Sequence, residues 1–195
     1  DIQRSRGLGD VYKRQLERDY YTKKSIFKKE HKNIFQNDWI CAGHISEFSQ
    51  SGSFKVINNS NESALITKDN DGSINAFYNL CRHRGTRIKD EPCGKFKNNI
   101  RCNYHGWSYD LKGELISAPH MNKVEGFKNN DFPLHQIPLK IWEGFIFLSF
   151  NDKANDFDNF FKPIQNKFKQ WNIANLEIGN TIEYQIKCNW KLIIQ

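Results

Sequence analysis

Two short runs, each with one cysteine and one histidine, constrain this chain more than any other part of its sequence. The first is Cys81-Arg82-His83-Arg84-Gly85, and the second is Cys102-Asn103-Tyr104-His105-Gly106-Trp107. Each run places a thiol and an imidazole, two side chains that bind transition metals, within one short segment. We therefore predict two loops that meet around a metal centre, with Cys81, His83, Cys102 and His105 as its ligands.

Two kinds of centre accept two cysteines and two histidines. A Rieske [2Fe–2S] centre holds one iron by two Cys and the other by two His, and structural zinc also accepts this set. Zinc fingers usually pair Cys with Cys and His with His along the chain, whereas each run here is mixed. Each run also contains a glycine, which permits a close backbone approach and a positive φ. The mixed pattern favours the Rieske centre and leaves a zinc-bound structural module as an alternative.

Stretches beyond these four residues resemble the α subunits of Rieske non-haem iron oxygenases. That family includes aromatic-ring-hydroxylating dioxygenases, and monooxygenases and demethylases that act on quaternary ammonium compounds. The similar stretches are residues 77–85, 102–113, 118–121, 142–147 and 189–194. The resemblance covers about residues 20 to 195. The segments at 118–121 and 189–195 look closest to members that handle choline-like or betaine-like compounds, although aromatic substrates stay open.

The resemblance implies the roles of residues and partners. Cys81 and Cys102 would be thiolate ligands of the iron that stays ferric, and His83 and His105 would bind the reducible iron. A flavin reductase or ferredoxin would donate electrons, and a mononuclear Fe(II) would activate dioxygen to hydroxylate or demethylate a small-molecule substrate. The full-length protein would be a homotrimer. The alternative is a stand-alone Rieske ferredoxin, an electron carrier that would be expected to end near Phe150.

The resemblance also implies that the chain stops before the mononuclear iron site. In the family, two His and one carboxylate hold that iron, and they follow the motif Asn189-Trp190-Lys191-Leu192. We therefore expect an N-terminal fragment without catalytic residues, and mononuclear Fe(II) only in the full-length protein. The remaining histidines are expected to be ordinary surface or core residues; they are His31, His44, His120 and His135.

The predicted fold is mainly β. We expect a Rieske [2Fe–2S] antiparallel β-sandwich with an N-terminal helix and the first elements of a truncated α+β catalytic domain. Residues 1–15 are interpreted as a non-native or leader-like segment, and residues 16–44 as an N-terminal helical region. Residues 45–150 form the predicted Rieske domain. Residues 151–195 are expected to contain a linker helix and the start of the catalytic domain.

Local patterns place several elements. Ser25 is expected to cap a helix whose apolar residues recur about two turns apart. The pair Asp71-Gly72 predicts a hairpin between two apolar strands. Apolar residues from 160 to 171 follow a helical period, with Pro163 tolerated in the first turn. The alternation at 181–186 predicts a strand.

Side chains beside the four ligands are expected to form the surroundings of the centre. Tyr104 and Trp107 are expected to pack around the centre and limit access of water. Arg82, Arg84 and Arg87 are expected to face a partner, a neighbouring subunit or solvent.

Charge and cysteine content limit the partners and the compartment. The net charge is +7, but no block of like charges suggests nucleic acid, so we expect a basic surface suited to an acidic redox partner. No run of about 18 apolar residues predicts a membrane span. The cysteines outside the two runs are Cys41, Cys93 and Cys188. This odd number is typical of free thiols in a reducing compartment, so we expect a cytoplasmic protein.

Overall fold

The computed structural model describes residues 16–194, which divide into two compact units. Residues 35–180 form the larger unit, and residues 16–34 with 181–194 form the smaller one. The leader-like segment predicted at 1–15 lies outside the described residues, as does Gln195.

The larger unit contains three antiparallel sheets, which confirms the mainly β prediction. In chain order, the strands are β1 Ile40–His44, β2 Ser53–Asn59, β3 Glu62–Lys68, β4 Ile74–Tyr78, β5 Cys93–Lys95, β6 Ile100–Arg101, β7 Ser108–Tyr109, β8 Leu115–Ser117, β9 Leu139–Trp142 and β10 Phe145–Leu148. The strand orders are β4-β3-β2-β5, β1-β10-β9 and β6-β7-β8. All pairs between neighbouring strands are antiparallel.

Strand β3 lies between two apolar cores. Leu65 belongs to the core that also contains Cys81 and Cys102. Its neighbours Ala64 and Ile66 belong to a second core, shared with residues of β10 and β1. Successive side chains of a strand point to opposite faces, so a continuous apolar run in β3 is buried on both sides. This strand therefore fixes the two candidate ligand loops to the rest of the sandwich.

The hairpin predicted around Asp71-Gly72 is confirmed, because β3 pairs with β4 from Lys68↔Ile74 onward. Its turn is stabilised by a residue that the pattern did not single out. One oxygen of the buried Asp69 carboxylate accepts hydrogen bonds from the amides of Asp71 and Ser73, each at 2.9 Å. Such local bonds from an aspartate side chain favour tight turns.

Helix α3 begins earlier than the sequence pattern suggested. It spans Phe157–Phe168, and the Asp156 side chain caps it by accepting a hydrogen bond from the amide of Asp158 at 3.2 Å. The placement of Pro163 in a first turn is therefore wrong, since the cap at Asp156 moves this proline into the helix interior. Proline has no amide hydrogen, so the bond to the carbonyl four residues earlier is not made there.

The smaller unit contains two short helices, α1 Asp19–Thr22 and α2 Lys24–Glu30. A π-helical turn at His31–Phe35 directly follows α2. Ser25 does not cap α2, contrary to the prediction. The chain is extended at Lys23, where ψ is 119°, and α2 begins directly after it. Ser25 therefore falls inside the first turn. Among residues 16–194, no helix is both long enough and apolar enough to cross a membrane.

The strand predicted at 181–186 is not formed. The segment has no assigned strand, and Ile182, Tyr184 and Ile186 are all exposed. An alternating pattern becomes a strand only when its backbone groups pair with a neighbour, and no described strand pairs with this segment.

The smaller unit is held together by a largely buried ion pair. The Lys191 ammonium donates hydrogen bonds to both carboxylate oxygens of Glu30, at 2.6 and 2.7 Å. The Trp190 indole N–H also donates to Glu30, at 3.2 Å, and the Asn189 side chain donates to the carbonyl of Tyr21. The motif at residues 189–191 therefore binds to α2 and to the segment before it.

Candidate metal centre

The two candidate ligand loops share one backbone arrangement. The amide of Cys81 donates to the carbonyl of Thr86 at 2.8 Å, and the amide of Cys102 donates to the carbonyl of Trp107 at the same distance. In each loop a glycine amide donates back to the cysteine carbonyl, Gly85 at 2.9 Å and Gly106 at 3.1 Å.

Both glycines have a positive φ, 65° at Gly85 and 74° at Gly106. Other residues rarely adopt this conformation, so both turns depend on glycine. The loops are therefore closed in the same way, although histidine follows cysteine by two residues in the first and by three in the second.

The loops are placed by different elements. The second connects β6 to β7, which pair directly, with Ile100 opposite Tyr109. The first follows β4 and is closed at its base by a bridge between Leu80 and Arg87. The tips of the two predicted loops lie close together, since the side chains of His83 and His105 are in contact and Cys81 and Cys102 share one apolar core.

The two cysteines form the buried side of the candidate centre. Cys81 is 3% exposed and Cys102 is 2% exposed, and both belong to the apolar core around Trp107 and Tyr109. Burial raises the pKa of the Cys81 thiol, while hydrogen bonds from the Tyr109 hydroxyl and the His83 amide lower it. Nearby Cys102 raises it again. Two such thiols suit a bound cation, which would compensate their negative charge once they are deprotonated.

The two histidines form the outer side. The Nδ1 atoms of His83 and His105 are 3.1 Å apart, and the ring centroids are 4.6 Å apart. Partial burial lowers the pKa of His83, and the charges of His105 and Arg84 lower it further. A neutral imidazole is the form that binds a metal. The facing Nδ1 atoms therefore fit two ligands of one ion.

The two candidate centres need different arrangements of the four side chains. Structural zinc requires all four ligands around one ion. A [2Fe–2S] centre instead needs two ligands at each of two irons. A buried thiol pair beside a facing imidazole pair fits this requirement.

Aromatic side chains differ in how they surround the site. Trp107 is buried and stacks on His83, with ring centroids 5.0 Å apart and an interplanar angle of 10°. Tyr104 lies against His105 but is 62% exposed. Contrary to the prediction, it therefore does not exclude water from the site. The reason is its position at the tip of the second loop, beyond the apolar core. Trp107 alone of the two shields the site from solvent.

Tyr109 is a candidate functional residue that the sequence reasoning missed. Its hydroxyl lies 3.3 Å from Sγ of Cys81 and accepts a hydrogen bond from the amide of Arg82 at 3.1 Å. The hydroxyl hydrogen is then free to point at the sulfur. Burial and the neighbouring Cys81 raise the pKa of this tyrosine, so it stays protonated. The available signal was a tyrosine in the short strand Ser108–Tyr109, which directly follows the second loop.

The other histidines and cysteines lie elsewhere in the fold. His44 is buried in a capping interaction with Ser46, and His135 contacts Arg82. His120 precedes the short helix at Met121–Lys123. Cys41, Cys93 and Cys188 are exposed free cysteines.

Comparison with known families and proteins agrees with this geometry. The family model for the Rieske [2Fe–2S] domain matches residues 38–128 of this chain, which contain both loops. The carnitine monooxygenase oxygenase subunit of Acinetobacter baumannii is 31% identical over 179 residues, which are 90% of this chain and 47% of that protein. The biphenyl dioxygenase subunit alpha of Metapseudomonas furukawaii is 29% identical and covers 95% of this chain and 43% of that protein.

A solved structure shows the same similarity in three dimensions. The quaternary ammonium Rieske monooxygenase CntA, in complex with its substrate L-carnitine, matches with a TM-score of 0.81 and 29% sequence identity. The match covers 90% of this chain and 50% of that one. The chain therefore spans about half the length of the proteins that it matches.

Proposed function

Because this chain belongs to the Rieske non-haem iron oxygenases, we propose that it forms the electron-transfer portion of an oxygenase subunit. The convergence of the two loops carries this proposal: their cysteines are buried together and the Nδ1 atoms of their histidines face each other at 3.1 Å. Cys81 and Cys102 are the proposed thiolate ligands of one iron, and His83 and His105 the imidazole ligands of the other.

When bound, a Rieske [2Fe–2S] cluster stores one electron at a potential between about −150 and +300 mV. Residues of this chain shield that site from water. The core around Cys81 and Cys102 excludes water from the sulfur side, and Trp107 covers one face of His83. His105 lies at the exposed edge, where an electron can enter or leave over a short distance.

The proposed activity is the transfer of electrons to a mononuclear iron for O2-dependent hydroxylation or demethylation. Both the carnitine and the biphenyl enzymes match most of this chain, so the substrate class is a quaternary ammonium or an aromatic compound. The structural similarity to CntA, a quaternary ammonium monooxygenase, favours quaternary ammonium compounds. We assign the mononuclear Fe(II) to the full-length protein.

The proposed partners follow from the same assignment. A flavin reductase or a ferredoxin would supply electrons, and the full-length protein would act as a homotrimer. The net charge of +7 favours an acidic donor. A cytoplasmic location is proposed on the basis of the exposed free cysteines, which a reducing compartment preserves.

A stand-alone Rieske ferredoxin is the second candidate function. The Rieske domain model ends at residue 128, but the match to the oxygenase subunit of Acinetobacter baumannii covers 90% of the chain. Similarity to oxygenase subunits therefore extends well past the Rieske domain, which favours the oxygenase over the carrier.

The proposal is tested by measuring the iron and sulfide content of the chain and its uptake of an electron. We expect the anaerobically reconstituted chain to contain iron and acid-labile sulfide in equal amounts, two of each per chain, as a [2Fe–2S] centre requires. It should then accept one electron from NADH or NADPH through a flavin reductase, observed as bleaching of its visible absorption. Stoichiometric zinc without labile sulfide would contradict the proposal. A chain with the cluster that turns over substrate as a complete oxygenase would contradict the assignment of the mononuclear iron to the full-length protein alone.

Tyr109→Phe is expected to lower the reduction potential of the centre. The hydroxyl of Tyr109 lies 3.3 Å from Cys81 Sγ, and its hydrogen bond would stabilise the extra negative charge of the reduced state. Phenylalanine keeps the ring in the core and removes only this bond. Protein-film voltammetry at constant pH measures the shift. Tyr104→Phe is the matched control, because Tyr104 is exposed and lies outside the apolar core that contains Cys81 and Cys102. Equal potentials in the Tyr109→Phe variant and the wild type would exclude this role.

A further inference from the structure

Arg82 lies between two proposed ligands, yet its side chain is directed to a different part of the fold. Its Nη1 atom is 2.5 Å from Nε2 of His135, and its guanidinium carbon lies 5.9 Å from the centre of the Phe132 ring. A guanidinium only donates hydrogen bonds, so Nε2 of His135 is the acceptor. Arg82 therefore connects the first ligand loop to residues 127–135, which we call the clasp segment.

The clasp segment also contacts the ring that covers His83. Phe127 and Phe132 stack on each other at 4.8 Å, and each packs edge-on against Trp107 at 5.8 Å. Trp107 in turn stacks on the imidazole of His83. The clasp segment therefore holds the first loop in two ways. It contacts the side chain of Arg82, and it packs against the Trp107 ring that stacks on His83.

We propose that Arg82 is a positioning residue for His83, and that its contacts with Phe132 and His135 hold the imidazole so that its Nδ1 faces that of His105. The proposal rests on the function proposed above, because it concerns a ligand of that centre. It assigns to Arg82 a role within the protein, where the sequence suggested a partner, a neighbouring subunit or solvent.

The contacts and exposure of Arg82 and Arg84 support a role of Arg82 within the protein. Arg82 is half-buried and forms no salt bridge within residues 16–194, so its charge is not held by a carboxylate. Its Nε atom is buried without a hydrogen-bond partner in that part of the chain. An arginine accepts such burial when its planar group is fixed by stacking and directional bonds. Arg84, by contrast, is exposed on the other side of His83.

The test compares Arg82→Met with Arg84→Met in the reconstituted chain. Each change removes one positive charge at one residue from His83, so a purely electrostatic effect is similar in both. We expect only Arg82→Met to alter the EPR g values of the reduced centre, because only it releases His83. We also expect Arg82→Met to lose its cluster to a chelator about tenfold faster than the wild type, a difference of about 1.4 kcal/mol.

Two further variants keep the test decisive if Arg82→Met does not fold. Arg82→Lys keeps the charge but lacks the planar fork, and His135→Ala removes an exposed acceptor without touching the loop. Both are expected to change the g values and the rate of cluster loss in the same direction as Arg82→Met. In the Arg82→Lys and His135→Ala double variant the effects should not add, because the two residues share one interaction.

The inference and the proposed function fail in different ways. A wild-type chain without iron and sulfide would remove the function and the inference together. A wild-type chain with a Rieske-type signal, whose Arg82→Lys and His135→Ala variants have unchanged g values and unchanged cluster loss, would overturn the inference alone. The same conclusion would follow if Arg84→Met and Arg82→Met gave identical changes.

Discussion

Cys102→Ser and Cys81→Ser are each expected to remove most of the cluster from the reconstituted chain. A serine oxygen is a harder and poorer ligand for iron in such a centre than a thiolate. Both positions are almost fully buried, so solvent cannot readily supply a replacement ligand. Iron and labile sulfide per chain, measured after gel filtration, should fall to a small fraction of the wild-type values.

Cys93→Ser is the matched control for this experiment. Cys93 lies on the edge strand β5, is exposed and is not a proposed ligand. Its replacement should leave iron and sulfide content unchanged. Full cluster content in Cys102→Ser, with native circular dichroism, would show that Cys102 is not a ligand.

Glu30→Ala is expected to destabilise the smaller unit strongly. The side chains of Lys191 and Glu30 are only 9% and 14% exposed, and the ammonium is bonded to both carboxylate oxygens. Removing one partner of a buried pair leaves an uncompensated charge, which typically costs about 3–5 kcal/mol. Hydrogen exchange of the α2 amides measures the free energy of opening of this unit and should decrease by that amount, or to the limit of detection.

Asp19→Ala provides the control, because it breaks the exposed ion pair between Asp19 and Lys23 in the same unit. Exposed pairs contribute about 0–1 kcal/mol, so exchange of the α2 amides should change little. Similar small effects of Glu30→Ala and Asp19→Ala would show that the buried pair does not hold the unit together.

The meeting of the two Cys/His loops could be predicted because metal chemistry restricts which residues bind and how they are spaced. The two mixed runs named Cys81, His83, Cys102 and His105, and the structure brings these side chains together. The hairpin at Asp71-Gly72 was equally local, since turn residues act within a few positions. Such features depend on residues that are close together in the sequence, so their spacing can be read directly.

Features that depend on distant contacts were not predictable from local patterns. The hydrogen bond of Tyr109 to Cys81 joins residues 28 positions apart, and the contact of Arg82 with His135 joins residues 53 apart. The strand expected at 181–186 failed for a related reason, because alternation does not specify a pairing partner. The cap of α2 and the position of Pro163 were wrong because helix starts depend on the exact residue where the chain bends.

The most direct test of the central claim is the EPR spectrum of the reduced, reconstituted chain. Two thiolates on one iron and two imidazoles on the other are expected to give a Rieske-type signal, distinct from that of a [2Fe–2S] cluster held by four cysteines. Labelling with 15N-histidine should replace the 14N hyperfine couplings of two coordinated nitrogens, assigned to His83 and His105, by 15N couplings. A signal without nitrogen coupling, or an EPR-silent chain with stoichiometric zinc, would contradict the claim.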